Sequence, residues 1–232
     1  MDLQPNPKKN LYIVVDGKKY ARYPVKTKLI TPEDKDIAAV VYEHTKELLQ
    51  QGDIVFIGEK CVAVSQGRAY PKSEIHPSWL ARTLVRYVTK SDIGIGLGSA
   101  ETMQLAIDEV GVPRILVATF FGGLAKIFGI KGVFYIIAGD QARAIDGAAE
   151  YVIPPYNTYV SKGPINADQV AVEISNRTGV PVAIVDACDF GVNVMGASEG
   201  IDKKFIIQAI RDNPLGQTNE QTPVGIIREM TE

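Results

Sequence analysis

Short apolar runs, each cut off by polar turn-forming residues, alternate along the 232-residue chain with stretches whose apolar positions recur every three or four residues. The first spacing predicts strands and the second predicts helices. Leu11 to Val15 reads as a strand that turns at Asp16-Gly17, a pair suited to a tight hairpin. Tyr23 to Ile30 then runs into Thr31-Pro32-Glu33-Asp34. There Thr31 predicts an N-cap, Pro32 a first helical position, and the two acids a favourable match to the helix dipole. Ile37, Val40, Val41, His44, Leu48 and Leu49 share one stripe that stops at Gly52, with His44 expected as a partly buried surface residue. Asp53 to Ile57 predicts a strand, and after Gly58-Glu59-Lys60 a second apolar run follows, Cys61 to Val64. Ile75-His76-Pro77 opens a helix whose packing face would carry Trp79, Leu80, Thr83, Leu84, Tyr87 and Val88, with His76 capping or at the surface.

Gly94, Gly96 and Gly98 half resemble a dinucleotide-binding loop, but a helix ending near Lys90 precedes them where that loop needs a strand. A linker is the expected role. Ser99 then caps a helix running to Val110-Gly111. Arg114 to Thr119 reads as a strand, and Phe120 to Gly132 as an internal packing loop in preference to a lid or dimer contact. Val133 to Ala138 is another buried run ending in Gly139-Asp140, with Ala144-Ile145-Asp146-Gly147 beyond. Tyr151 to Asn157 is expected to be stiff and extended. Asn166 caps a helix through Val170 and Ile174 that stops at Thr178-Gly179 and feeds the strand Val182 to Val185. A small-residue loop over Gly196 to Gly200, a helix from Ile201 to Arg211, a polar loop over Gly216 to Pro223 and a last strand, Val224 to Ile227, complete the chain. The pattern predicts an α+β fold of mixed sheets with packed helices. It fits one domain over 1–232, or two α/β lobes joined near 90–115.

Composition changes the picture mainly by exclusion. A formal charge of -2 offers no basic field for nucleic acid. Cys61 and Cys188 stand far apart in no metal-ligand spacing, which fits neither a disulfide framework nor a zinc site and matches a reduced, cytoplasmic setting. The N-terminal segment lacks the apolar core of a signal peptide. Phe120 to Ala138, the most apolar region, is interrupted by Lys126, Lys131 and several glycines and makes a poor membrane span, so no membrane partner is expected.

Candidate chemistry lies where apolar runs end in acids. Asp186 and Asp189 follow the Val182 run directly, and paired carboxylates at the end of a buried strand suit a hard cation, Mg2+ or Mn2+, arriving with substrate phosphates. From these residues alone, capping of the next loop is an equal alternative. Asp146 repeats the arrangement about forty residues earlier, and the sequence leaves open whether the two loops converge. Lys60, in the break between two apolar runs, reads either as a phosphate-reaching charge or as a solvated turn residue. The two histidines and two cysteines offer no Ser-His-Asp or Cys-His arrangement.

Pro24-Val-Lys-Thr-Lys-Leu-Ile30, Gly52-Asp-Ile-Val-Phe-Ile-Gly-Glu-Lys60 with Ser65-Gln-Gly-Arg68, Ala144-Ile-Asp-Gly147, and Val182 to Gly191 occur in the order seen in the coenzyme F420-0:L-glutamate ligase family. Over nearly its whole length the chain resembles a short, divergent branch of that family with segments like Ile153-Pro-Pro-Tyr-Asn157 and Asn213-Pro-Leu-Gly-Gln217. The resemblance implies the fold of those ligases, a homodimer, and small-molecule substrates. It also implies GTP- or ATP-driven joining of L-glutamate, in γ-linkage, to a carboxylate acceptor through an acyl phosphate, with divalent cations. By position it implies metal ligation by Asp146 and Asp186, with Asp189 as a further carboxylate by proximity. Nucleotide contacts would come from Thr27, Lys28, Leu29, Ile30, Glu59, Lys60, Asn213, Gly216 and Gln217, within the loop from Asp212. Lys60 and Asp186 would act in catalysis. The chain departs from the family pattern at Val64, Gln66, Ala149 and Lys131, where a lysine, an acid, an asparagine and a histidine are expected. Three functions therefore compete: the F420-0 ligase itself, a ligase of the same mechanism on other substrates, and a metal- or nucleotide-binding protein without turnover.

Overall fold

The computed structural model describes residues 3–88, 96–130, 132–188, 191–216 and 218–230. Two compact units divide the chain. Unit 1 combines 1–67 with 164–232, and unit 2 is 68–163, so the second is inserted in the sequence of the first.

Unit 1 is built on a six-stranded mixed sheet of order β1-β2-β8-β3-β6-β7. Its strands are β1 (Tyr12–Val15), β2 (Lys18–Val25), β3 (Ile54–Gly58), β6 (Val182–Cys188), β7 (Gly191–Ala197) and β8 (Val224–Glu229). Asp16 and Gly17, at φ 49° and 81°, make the expected two-residue turn between β1 and β2. β3 and β6 pair in parallel and every other neighbouring pair is antiparallel. The carboxyl ends of β2, β3 and β6 therefore lie at one edge, together with the start of β8.

Helices α1 (Ile37–Thr45) and α8 (Ala167–Thr178) pack against each other, and α8 also packs on β6 and β7. Helix α9 (Lys203–Ala209) packs with Phe56, Ala183, Val185 and Ile227. Alternation along a strand sends neighbouring residues to opposite faces, so coverage on both sides buries Val182 to Val185 without a break, as the run implies. Close approach explains Gly196: a Cβ there would stand 2.3 Å from the carbonyl carbon of Ala167, where α8 begins against β7.

Several expectations are corrected. The helix after Ile30 begins at Ile37, capped by the Asp36 side chain on the Ala39 amide; Thr31 instead closes a turn in which its amide donates to Asp34 Oδ2 at 2.9 Å. Pro32 and Glu33 belong to that turn region, ahead of the helix. Cys61 to Val64 is not a strand but the middle of helix α2 (Glu59–Ser65). A run buried on all sides carries no periodicity to separate the two states.

Unit 2 joins a two-stranded ladder, β4 (Ala69–Pro71) with β5 (Tyr159–Ser161), to helices α3 (Trp79–Leu84), α4 (Ala100–Val110), α5 (Val112–Ile127), α6 (Val133–Ala138) and α7 (Asp140–Arg143). Met103, Leu105, Ile115, Ile145 and Val160 form its core. Ser99 and Thr102 cap α4 reciprocally, as read from the sequence. Arg114 to Thr119 is helix, with Pro113 in its first turn, and Val133 to Ala138 is also helical, against the strand expected for the first and the buried run for the second. The period was hidden because α5 is apolar on its outer side as well as its inner one. Only Ile115 and Ala118 of α5 are buried. Phe120 to Gly132 is thus no internal packing loop: Phe120 is 67% exposed and Ile127 79%. Trp79 and Tyr87, expected on a packing face, are exposed as well, while Leu84 is buried. Helix α3 starts one residue after its Ser78 cap, and His76 is at the surface. Gly94 lies outside the described residues.

Among the described residues no single helix is long and apolar enough to cross a membrane, and α4 and α5 meet at 118° around Gly111.

Candidate functional site

In unit 1 the site residues read from the sequence converge on the carboxyl edge of the sheet. Gly58 pairs with Val185 in the parallel ladder, so Glu59 and Lys60 leave β3 at the level where β6 reaches Asp186. Beyond that level β6 continues beside β7 alone, with Asp186 opposite Asn193, and the carboxylate is exposed although four buried residues precede it. Lys60 is half-buried in the first turn of α2, and Glu59 is buried.

Two loops close over the same edge. Thr27 follows β2 and is stitched to the segment before β8: its amide donates to Gln221 O at 3.2 Å, and Gln221 Nε2 donates back to Thr27 O at 2.7 Å. The Gly58 amide donates to Pro223 O at 2.9 Å, fastening β3 to that segment. Thr27 and Ile30 are buried, Leu29 is partly buried and Lys28 is exposed. The Lys28 ammonium pairs with Asp34. Burial acts to raise that carboxyl, but the Lys28 hydrogen bond and the Thr31 amide outweigh it and hold it below its usual range. The Lys28 amide donates to His44 Nε2 at 3.2 Å, while His44 Nδ1 faces Val40 O at 2.8 Å, so His44 is a half-buried loop support, consistent with its expected character.

The second loop, 212–216, rests on groups that sequence reasoning missed. Arg22, a charged residue inside β2, is 1% exposed and pairs with Asp212 while donating to the carbonyls of Ala209, Asn10 and Tyr12. Asn6 Nδ2 donates to Leu215 O and to Thr222 Oγ1, each at 2.7 Å. The available signal was a lone arginine in an otherwise strand-forming run. Leu215 joins the α9 side of the core, and a Cβ on Gly225 of β8 would stand 3.0 Å from its Cδ2. Asn213 adopts a left-handed backbone, φ 49°, and is 1% exposed. Its backbone is satisfied by Ile210 and Gly216, but among the described residues Nδ2 has no hydrogen-bond partner. A buried donor left in that state fits an acceptor brought by a ligand. Gly216 takes a positive φ of 73°, a backbone conformation that side-chain-bearing residues rarely adopt, which favours glycine there. Gln217 and Asp189 lie outside the described residues.

Asp146 belongs to unit 2, whereas Asp186 belongs to unit 1. Asp146 bridges to Ser161 through paired backbone hydrogen bonds of 3.0 Å, and its Oδ1 accepts the Gly147 amide at 2.8 Å. Among the described residues no three His, Cys, Asp or Glu side chains gather into a protein-only metal cage.

Two acids near these motifs serve structure. Asp53 takes a two-point contact from Arg228, at 2.8 and 2.7 Å, and the Asp53 hydrogen bond raises the Arg228 guanidinium above its ordinary value. Glu109 of α4 accepts Arg68 at 2.5 Å and Lys162 at 2.9 Å, tying together the segments that enter and leave unit 2. Gln66, where the family resemblance led an acid to be expected, forms a reciprocal pair of 2.9 Å bonds with the Ile165 backbone, and Val64 is buried. Burial pushes the Cys61 thiol up to about 12 against the opposing charge of Lys60, so it is no thiolate nucleophile at neutral pH.

The strand-edge position of Asp186, Lys60 and the two loops is the arrangement that binds ligands in sheets with crossover helices. Comparison with individual curated proteins gave no match. The family model described as F420-0:Gamma-glutamyl ligase matches residues 24–204, which include the end of β2, the strands β3, β6 and β7, and the whole of unit 2. The chain therefore belongs to the F420-0:gamma-glutamyl ligase family.

Proposed function

We propose that the carboxyl edge of the unit 1 sheet binds GTP or ATP with Mg2+ or Mn2+, and that the protein joins an amino acid to a carboxylate acceptor. Membership of the family implies a γ-glutamyl ligase of the F420 pathway, with L-glutamate and F420-0 as nominal substrates. The observation that carries the reading is the buried Nδ2 of Asn213, without a partner among the described residues, on a loop held at the same sheet edge as Lys60 and Asp186.

The residues fit a hard cation. Asp186 offers an exposed oxygen donor on a rigid strand, and magnesium is commonly held by one or two carboxylates plus substrate phosphates and not by a closed protein cage. Asp146 is retained as a metal-binding carboxylate of unit 2 on its family position alone. When bound, the cation supplies charge neutralisation at the phosphates.

The chain's own groups then position and polarise. Lys60 sets positive charge beside the phosphates, the Asn213 amide donates to a ligand oxygen, and the Thr27 to Ile30 backbone lines the same edge. An acceptor carboxylate oxygen bonds to the terminal phosphorus as the bond to the nucleoside diphosphate breaks. The amine nitrogen next bonds to the acyl carbon, and inorganic phosphate and a proton leave. Such a reaction needs no protein nucleophile, in keeping with a chain of two histidines and a protonated Cys61.

A second reading, the same reaction on a different amino acid or acceptor, is favoured by one observation. The Gln66 amide and the Val64 side chain, which replace an expected acid and lysine, are committed to packing and to the Ile165 backbone. Purified protein with Mn2+, GTP or ATP, and panels of amino acids and carboxylates separates the readings. Phosphate release that requires both an amine and a carboxylate is expected. F420-0 with L-glutamate as the productive pair gives the first reading, and another pair gives the second. Binding of nucleotide without phosphate release under every pairing contradicts both.

A further inference from the structure

His44 stands in the last turn of α1 with both ring nitrogens engaged. Nδ1 lies 2.8 Å from the Val40 carbonyl oxygen, which can only accept, so Nδ1 carries the ring proton. Nε2 lies 3.2 Å from the Lys28 amide nitrogen, which can only donate, so Nε2 presents its lone pair. Together the two contacts fix one neutral tautomer. A second proton would set a ring N–H against the N–H of Lys28, and that bond would be lost.

The Lys28 amide belongs to the loop that leaves β2 for the sheet edge. Gln221 pins that loop on one side through the Thr27 amide and carbonyl, and His44 pins the next amide to α1 on the other. Charges around the ring come from three places. On the loop, Lys28 pairs with Asp34. On α1, Glu43 pairs with Lys46 at 2.8 Å, and Glu47 follows, exposed, just past the helix. On α8, which packs against α1, Arg177 reaches Asp36 at 3.1 Å, Asp168 accepts the Ala197 amide at 2.9 Å and Glu173 accepts Gln169 at 3.0 Å. Each of these charges, Glu47 apart, already has a partner, so the contact that answers a proton on the ring is the one to Lys28.

We propose that His44 is a positioning residue for the nucleotide and makes its binding proton-sensitive: the neutral ring holds the Lys28 amide and the loop in place, and a second proton releases them. The proposal rests on the reading of the Thr27 to Ile30 backbone as part of the nucleotide site. Proton and nucleotide then oppose each other by linkage, so affinity is greatest above the histidine range and falls as pH drops through it.

GTP affinity measured with Mg2+ at about pH 8 and about pH 5.5, in wild type, His44→Gln and His44→Leu, tests this. Glutamine suits a helix and offers an acceptor oxygen that does not titrate, whereas leucine offers none. Protonation of the nucleotide phosphates is common to all three proteins, so each is read as a ratio to His44→Gln. Wild type should match His44→Gln within about two-fold at the higher pH and bind about five-fold more weakly at the lower, the worth of one hydrogen bond. His44→Leu should bind about five-fold more weakly at both. In the nucleotide-free protein, the Lys28 amide resonance should follow the His44 ring through its titration, with the surface His76 as reference. A wild-type ratio that stays constant with pH, or a Lys28 amide that ignores the ring, overturns the proposal while GTP binding at the higher pH leaves the nucleotide site standing. Absence of GTP and ATP binding in all three proteins at the higher pH overturns the nucleotide site and this proposal with it.

Discussion

Asp186 and Glu109 show how differently two acids of one chain are spent. Asp186 is legible in sequence because four buried residues precede it, and the ladder then explains its exposure: β3 ends at the register of Val185, one residue short of it. Glu109 gives no such signal, since its partners Arg68 and Lys162 lie 41 residues before it and 53 after it. Burial acts to raise the Glu109 carboxyl, but hydrogen bonds from Lys162 and Arg68 more than reverse this and hold it below its ordinary range. A carboxyl depressed on folding contributes stability above its unfolded value, near pH 4, and loses it as pH falls through the folded one. Glu109→Gln, which leaves two cations facing each other, should cost about 2 kcal/mol at pH 7, a figure reduced for the partial exposure of the pair. Urea titrations should find that gap closing below about pH 4. A gap that widens there would contradict the assignment.

At the scale of elements, the central strands of unit 1 and the helices α3 and α4 of unit 2 were readable, whereas α2, α5 and α6 were not, for one physical reason. β3, β6 and β8 are central, short and bounded by turn residues, and their burial on two faces leaves continuous apolar runs that match strands. Helices α2, α5 and α6 also read as apolar runs, because α2 is largely enclosed and α5 is apolar where it faces outward. Candidate loop and sheet are coupled through one glycine. Gly225 of β8 lies opposite Phe56, where a Cβ would fall 2.3 Å from the ring, and it also sits beneath Leu215 of the 212–216 loop. Gly225→Ala should destabilise unit 1 by about 1–3 kcal/mol through overpacking. Displacement of Leu215 should also weaken nucleotide binding more than the fold loss alone explains. Thermal melts with and without GTP separate the two effects: an equal shift in both conditions would mean that the loop does not report on the site.

For the whole molecule, the order of short motifs carried more than any single one. Thr27 to Ile30, Glu59-Lys60, Asp186 and the Asp212 loop are scattered over nearly two hundred residues of sequence, yet β2, β3, β6 and β8 set them along one sheet edge. Sequence could not supply the supports of that edge, because Asn6, Arg22 and Gln221 act through backbone groups about 190 to 210 residues away. The insertion of unit 2 between α2 and α8 was equally hidden, since the segments that enter and leave it carry no distinctive composition. The central claim is that Asp186 belongs to a metal-dependent nucleotide site. Calorimetric titration of Mn2+ in the presence of GTP into wild type and Asp186→Asn tests it most directly. The account predicts a loss of at least roughly ten-fold in Mn2+ affinity, with an unchanged melting temperature for the apo protein. Equal Mn2+ affinity in the two proteins would contradict it.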